Sequence, residues 1–271
     1  MNLRPLGGLG SVDVGCCGCC GNTLPPGPER GGFFWYNARL SEQTLNGSDQ
    51  SQQWNDIWPN AYHQLPQNAA GVLAGVSQWP VKTPNITPSG EPGMEYSWLG
   101  PGDFGCTLTQ CLQTVTQLPD DAPYFVTAIV TPKGTRGGFV CTMRLTVPDL
   151  EMSLRQFNGP YQIVLSSQTN TQNYYTPLVD YTMQTIVCSW IFFGSAPVQQ
   201  CLFRVNGVNI SITPFLGLAP YTGLRGFSIG YCNAVFEGFD GFITDVRGYL
   251  GTDMATVLAS EAWSMDFAGL P

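Results

Sequence analysis

The 271-residue sequence predicts an all-β fold, a two-sheet antiparallel sandwich with an extended N-terminal arm and a short C-terminal helix. Three observations lead to this prediction. Short apolar or alternating runs bounded by turn residues follow one another from Phe33 onward. The chain is rich in glycine and proline, and only 11% of its residues are charged. Helical periodicity is clear only near the C-terminus.

The first element, residues 1–32, is predicted to be an arm. It contains the cluster Cys16-Cys17-Gly18-Cys19-Cys20 and shows no apolar periodicity, so it buries too little surface to fold alone. A flexible or partner-bound arm is the preferred interpretation, and an inter-subunit disulfide and lipidation are alternatives. Zinc is disfavoured because adjacent cysteines rarely direct both sulfurs at one tetrahedral centre. The predicted partner-binding residues are Cys16, Cys17, Cys19, Cys20 and Arg30.

Residues 33–271 are predicted to form a single domain of short strands followed by a helix. The dipeptide Asn206-Gly207 predicts a type I′ hairpin turn, which needs positive φ at both central residues. Asp253 is a suitable N-cap for a helix over Asp253–Met265, and an apolar stripe along it is predicted from Met254, Val257, Leu258 and Trp263. Leu108–Leu118 is ambiguous between a helical turn and a loop. The predicted strands are Phe33–Asn37, Met94–Leu99, Tyr124–Thr131, Gly138–Val147, Tyr161–Ser166, Gln184–Phe193, Gln200–Val205, Val208–Ile212, Gly226–Tyr231 and Gly241–Tyr249.

Charge and hydropathy exclude several classes of partner. The net charge is −8, so the basic surface that nucleic acids or anionic membranes require is not expected. No run approaches the roughly 18 apolar residues of a membrane span, and the N-terminus lacks the apolar core of a signal peptide. Six of the ten cysteines are scattered along the strand region, where buried reduced thiols are expected.

Several motifs follow one another along the chain. They are Phe34-Trp35-Tyr36-Asn37-Ala38-Arg39, Gln53-Trp54-Asn55-Asp56, Tyr124–Pro132, Cys201-Leu202-Phe203-Arg204-Val205-Asn206-Gly207 and Phe239-Asp240-Gly241-Phe242-Ile243-Thr244-Asp245-Val246-Arg247. In this order they resemble laminin-G-like, concanavalin A-like jelly-roll domains over residues 33 to 265, and the similarity implies a jelly-roll sandwich. Two positions depart from the pattern: Trp58-Pro59 stands where the family tends to have Ser-Gly, and Gly248 replaces an expected apolar residue.

Catalysis is not expected. The glucanases that share this architecture carry a Glu-x-Asp-x-(x)-Glu strand, because retaining hydrolysis needs two carboxylates roughly 5 Å apart. The sequence has no such strand. Its only histidine, His63, lies in an Asn/Gln-rich loop and would have to support any Ser-His or Cys-His chemistry alone.

Two kinds of ligand remain as candidates. Calcium could use loop carboxylates from Asp56, Asp103, Asp240 or Glu237, although for Asp56 and Asp240 the preferred interpretation is that they hold turns through bonds to the backbone. No other cofactor is expected. For a glycan, tryptophan and tyrosine rings among amide side chains offer stacking faces and hydrogen bonds. The predicted glycan contacts are Trp54, Asp56, Trp58 and Tyr62.

The resemblance implies two functions. Jelly rolls of this kind without catalytic residues occur in virion proteins of tailed bacteriophages and in bacterial surface proteins. The first hypothesis is therefore a non-enzymatic virion protein, a capsid decoration, head-fibre or tail-associated subunit. Its arm would dock on other virion proteins in a homo-oligomer or multi-subunit assembly. The second is a lectin-like, receptor-binding module that uses the loops around Trp54–Tyr62.

Overall fold

The computed structural model describes about three fifths of the chain in detail. Within these parts it forms seventeen strands, one α-helix and one short 3₁₀ turn. None of the helices in the described parts is long and apolar enough to cross a membrane. The described residues are 24–41, 43–58, 64–66, 80–96, 112–114, 124–133, 138–144, 150–156, 161–167, 176–177, 183–195, 198–216, 226–230, 239–251 and 253–271.

The strands confirm the all-β prediction. Each of the ten predicted strands overlaps an observed one. The strands in chain order are β1 (Gly32–Asn37), β2 (Gln43–Leu45), β3 (Ser51–Trp54), β4 (Gln64–Pro66), β5 (Val81–Thr83), β6 (Gly93–Tyr96), β7 (Leu112–Thr114), β8 (Tyr124–Pro132), β9 (Gly138–Arg144), β10 (Leu150–Gln156), β11 (Tyr161–Ser167), β12 (Thr176–Pro177), β13 (Ile186–Ser195), β14 (Val198–Val205), β15 (Val208–Leu216), β16 (Gly226–Ile229) and β17 (Gly241–Leu250), and the helix is α1 (Met254–Ala268).

The strands form two antiparallel sheets. The first has the order β15-β14-β13-β8-β17-β6-β5, and β1 pairs with the second half of β17. The second has the order β12-β11-β10-β9-β16-β7-β4-β3-β2. The sheets meet where Tyr36 of β1 packs on Trp54 of β3, with ring centroids 5.8 Å apart. The ambiguous segment Leu108–Leu118 contains a strand, β7, at its centre.

The first sheet is buried on both faces. Every residue of β1 is buried, and so are the residues of β17 from Gly241 to Tyr249. One face lies against the second sheet, and α1 covers the other. Under the helix, Val257 joins an apolar cluster with Trp35, Phe125 and Tyr249. This double burial explains why neither strand shows a solvent-facing polar alternation.

Helix α1 confirms the predicted cap but not the predicted stripe. The Asp253 carboxylate accepts hydrogen bonds from the backbone N–H groups of Ala255 and Thr256. Met254 and Leu258, however, are 39% and 48% exposed. The stripe prediction was wrong because the buried helix face is largely polar. It consists of Thr256, Val257, Ser260, Glu261, Ser264 and Ala268.

Arginines in the sheet explain this polar face. Arg204 of β14 donates through Nε to Glu261 at 2.9 Å, and both side chains are almost fully buried. Arg247 of β17 donates to the carbonyl of Ser260 at 3.2 Å and to the hydroxyl of Ser264. Buried polar groups need such partners, so the helix docks through ion pairs and hydrogen bonds as well as apolar contact.

The predicted hairpin turn is confirmed. Asn206 and Gly207 link β14 to β15 with φ values of 45° and 77°, the left-handed pair that a type I′ turn needs. The turn is also held from its side, because the Asn206 side chain accepts a hydrogen bond from Val187 N–H at 2.8 Å.

Gly248, the departure from the family pattern, is explained by the partner strand. It pairs with Phe34 of β1, and a Cβ at this position would lie 2.3 Å from Phe34 Cε1. The Phe34 ring is 2% exposed and stacks on Tyr36 at 5.4 Å. The missing side chain thus makes room for an aromatic ring in the core.

We therefore expect Gly248→Ala to lower the free energy of unfolding by about 1–3 kcal/mol, because the added methyl forces the buried ring to shift. Chemical denaturation followed by tryptophan fluorescence measures the change. Gly47→Ala is the matched control, since a Cβ there meets nothing within 4 Å. A Gly248→Ala protein as stable as the control would contradict this account.

Candidate functional site

A cleft of about 900 Å³ opens between the N-terminal segment and helix α1. Three tryptophans from distant parts of the chain meet there. Its floor is made by Trp35, Ile57 and Trp58. One wall is residues 24–30, and the other is the helix face with Ala259, Ala262, Trp263 and Asp266.

The N-terminal wall is fixed to the body of the domain. Pro25 is buried, and Pro28–Arg30 form a 3₁₀ turn in which Arg30 N–H donates to the Gly27 carbonyl at 3.0 Å. Leu250 N–H donates to the Gly31 carbonyl at 2.8 Å. The last residues of the predicted arm are therefore a wall of the cleft, and a deletion that tests the arm should stop before Leu24.

The floor is held by one carboxylate. A single oxygen of Asp56 accepts hydrogen bonds from the backbone N–H groups of Trp35 at 2.9 Å and Trp58 at 3.0 Å. This is the loop-holding role that the sequence suggested for Asp56. The Trp58 ring lies 5.8 Å from Trp35 and 5.4 Å from Tyr249. The floor is thus a packed aromatic cluster with a defined shape.

Trp263 on the helix wall is fixed by its neighbours. Its ring stands perpendicular to Trp35 at 5.7 Å and stacks on Phe267 at 4.7 Å. The Arg247 guanidinium lies 4.4 Å from its centre, a cation–π contact. These contacts place the indole without help from a ligand.

Arg247 is itself paired beneath the cleft. Its Nε donates to Asp245 at 2.7 Å, and both side chains are fully buried. Burial raises the pKa of Asp245, while the Arg247 charge and hydrogen bonds from Asn37 and Trp35 act in the opposite direction. The charge of Arg247 is therefore balanced locally and does not reach the cleft as a free cation.

The rim of the cleft is polar. Glu29, Arg30 and Asp266 are exposed there. The hydrogen bond from Gly27 N–H, and in smaller part the Arg30 charge, hold the pKa of Glu29 below its usual range. With respect to described residues, neither the Asp266 carboxylate nor the indole nitrogens of Trp58 and Trp263 make a hydrogen bond. The Asp266 carboxylate is thus available to a ligand as an acceptor and the Trp263 indole N–H as a donor, whereas the Trp58 ring is 7% exposed and belongs to the packed floor.

The predicted glycan contacts fall in different places. Trp58 lines the cleft and Asp56 holds its floor. Trp54 is completely buried, and its Nε1 donates to the Asn37 carbonyl at 3.2 Å. A buried ring offers no face to a sugar, so Trp54 belongs to the core. Tyr62 lies outside the described residues.

Of the five partner-binding residues predicted in the arm, the described ranges include Arg30 alone, and it lines the cleft. Cys16, Cys17, Cys19 and Cys20 lie outside the described residues. Among the strand cysteines, Cys188 is buried and reduced, as the sequence predicted.

For calcium, the described ranges contain no group of three or more histidine, cysteine, aspartate or glutamate side chains close enough to hold an ion. One carboxylate oxygen of Asp56 already accepts hydrogen bonds from two backbone N–H groups. Asp103 and Glu237 lie outside these ranges, so calcium stays a prediction.

Sequence reasoning missed Trp35, Trp263 and Asp266. The signal for the last two was present, because positions three apart share one face of a helix. Trp35, in contrast, is 228 positions from Trp263, and nothing local to either residue indicates that their rings touch.

A scan of family models and a search of curated proteins find no match to the chain. Solved structures do match. Domain 4 of AbnA, a GH43 extracellular arabinanase from Geobacillus stearothermophilus determined in complex with arabinotriose, aligns with a TM-score of 0.53 and 13% identity. The match covers 81% of this chain and 98% of that domain.

A Trypanosoma rangeli sialidase, in complex with 2,3-difluorosialic acid, aligns with a TM-score of 0.50 and 15% identity. The match covers 95% of this chain but only 36% of the sialidase. At such identities the similarity concerns the fold alone. It shows that the protein is an antiparallel jelly-roll β-sandwich, as the sequence predicted.

Proposed function

We propose that the protein is a carbohydrate-binding module and that the cleft between residues 24–30 and helix α1 is its binding site. The observation that carries this proposal is the cleft itself. Its volume of about 900 Å³ is within the range of small-ligand sites, roughly 300–1,000 Å³. Aromatic side chains form its floor, and charged side chains form its rim.

The chemistry of the lining suits a polyhydroxylated ligand. Sugar C–H faces pack on apolar surfaces, which Ile57, Ala262 and Trp263 supply. Sugar hydroxyls both donate and accept hydrogen bonds. The Asp266 carboxylate can accept from them, and the Trp263 indole N–H group can donate to them. Because the floor is held by Asp56, binding would require little ordering of protein groups.

The structural match gives further support. The AbnA domain, matched over 98% of its length, was determined with arabinotriose. A jelly roll of this shape is therefore compatible with oligosaccharide binding.

The proposal is of binding without cleavage. Two carboxylates, Glu29 and Asp266, do line the cleft, but a glycosidase needs one carboxylic acid with a raised pKa as its proton donor. The pKa of Glu29 is lowered instead, first by the Gly27 N–H hydrogen bond. Glu29 is thus suited to remaining ionised.

Filling the cleft tests the site. We expect the double variant Ala259→Leu/Ala262→Leu to weaken binding of a glycan-array hit by at least about tenfold, or ~1.4 kcal/mol, because two leucines occupy ligand volume without offering hydrogen bonds. Isothermal titration on the full chain measures the affinity. Both alanines are exposed, so the fold should tolerate the change.

Ala255→Leu is the matched control, since Ala255 is exposed on the same helix but does not line the cleft. Equal affinities for the double variant and the control would show that the cleft is not the binding site. A glycan array that returns no binder would contradict carbohydrate binding itself. The virion role, predicted from the family resemblance and an N-terminal arm of residues 1–32, stays a prediction.

A further inference from the structure

We infer, on the basis of the proposed carbohydrate binding, that the cleft selects neutral oligosaccharides and rejects sugars that carry a carboxylate. The distribution of charged side chains around the cleft favours ligands that carry no negative charge.

Among the described residues, the charges that line the cleft are two carboxylates, Glu29 and Asp266, and one guanidinium, Arg30. A third carboxylate, Asp253, is near enough for its charge to interact with Arg30. Arg30 therefore has two acidic neighbours, Glu29 and Asp253. Its positive charge is offset before any ligand arrives.

Both of these acids are held in the ionised form. The side-chain hydrogen bond from Thr256, and in smaller part the Arg30 charge, lower the pKa of Asp253. The backbone N–H of Gly27 does the same for Glu29. Around neutral pH the surroundings of the cleft are therefore negative.

On the helix wall, Asp266 is the side chain that distinguishes neutral from acidic sugars. Its carboxylate is exposed, and among the described residues no side chain donates a hydrogen bond to it. The next cation on that side, Arg247, is fully buried under Trp263 and paired with Asp245. An acidic sugar would thus bring its carboxylate toward an unpaired like charge, which costs binding energy. A neutral sugar would instead donate hydroxyl hydrogen bonds to Asp266.

The test is a glycan array that contains neutral and acidic oligosaccharides, probed with the full chain and with Asp266→Asn. We expect the hits of the unmodified protein to be neutral. We expect Asp266→Asn to raise the affinity for galacturonic acid trimer, relative to its neutral methyl ester, by roughly tenfold, the equivalent of ~1.4 kcal/mol of like-charge repulsion.

Asp49→Asn is the control, because it removes the same charge at an exposed position that does not line the cleft. Preferential binding of acidic glycans by the unmodified protein would overturn the inference and leave carbohydrate binding standing. An unchanged trimer-to-ester ratio in Asp266→Asn would also overturn it. An array without any binder would instead overturn the proposed function, and the inference with it.

Discussion

Replacing Arg247 with methionine is expected to lower the free energy of unfolding by about 3–5 kcal/mol, because it leaves the buried carboxylate of Asp245 without its charged partner. Both side chains are fully buried, and their contact is 2.7 Å. Asp245 retains only the hydrogen bonds from Trp35 Nε1 at 2.7 Å and Asn37 Nδ2 at 2.9 Å. These two neutral donors offset only part of the cost of burying the charge.

The variant also loses the contacts of Arg247 with the helix. These are the hydrogen bonds to Ser260 and Ser264 and the cation–π contact with Trp263. We therefore expect helix α1 to dock less firmly and the cleft to lose its shape. The free energy is measured by denaturant unfolding with tryptophan fluorescence.

Arg39→Met is the control, since it removes the same charge from a partly exposed pair, in which the side chain of Arg39 is 43% exposed and that of Glu91 11%. A partly exposed pair is screened more than a fully buried one, so its loss should be clearly smaller than that of Arg247. A loss of stability in Arg247→Met no larger than in Arg39→Met would contradict the assigned role.

The loss should depend on pH in a definite direction. Burial raises the pKa of Asp245, and removal of the Arg247 charge should raise it further. Below the ordinary aspartate pKa of about 4, the Asp245 carboxyl of the variant is protonated in both the folded and the unfolded state, so no charge is buried. The free energy of unfolding then falls as the pH rises from there through the raised pKa of the folded state. The difference from the unmodified protein should accordingly widen between acidic and neutral pH.

Trp54→Ala is expected to lower the free energy of unfolding by about 3–5 kcal/mol, because it opens a cavity between the two sheets. The Trp54 side chain is completely buried, packs on Tyr36 at 5.8 Å and donates to the Asn37 carbonyl. The residue looked like a glycan contact in the sequence. In the fold it joins the sheets.

Trp54→Phe separates these two roles. It keeps an aromatic ring in the core, so its loss of unfolding free energy should be less than half of the loss in Trp54→Ala. Because the residue does not line the cleft, glycan affinity should be unchanged while the protein is folded. A Trp54→Phe protein that is fully stable but no longer binds a glycan would reinstate Trp54 as a contact.

Local features of the chain were predicted well. The turn at Asn206-Gly207 and the cap at Asp253 depend on one or two residues whose conformational preferences act over short distances. Long strands such as β8 and β17 also carry their own signal. Most strands of two to four residues were missed, and so was the seven-residue strand β10. The three-residue strands β5 and β7 are too brief for periodicity and exist because a neighbouring strand pairs with them.

The buried helix face shows the limit most clearly. Ser260, Glu261 and Ser264 look like solvent-facing residues, and Met254 and Leu258 look like core residues. The structure reverses both expectations, because Arg204 and Arg247 rise from the sheet to meet the polar groups. Helical periodicity reports which residues share a face, but it does not report what lies opposite.

The sequence by itself determined the all-β class, the order of the main strands and the closing helix, since alternation, turns and caps are local properties. Only the tertiary structure decided the site. Pairing of β1 with β17 and docking of α1 bring Trp35, Trp58 and Trp263 together around one cleft. Contacts across more than two hundred positions depend on how sheets and helix pack, and a single sequence carries no local mark of them.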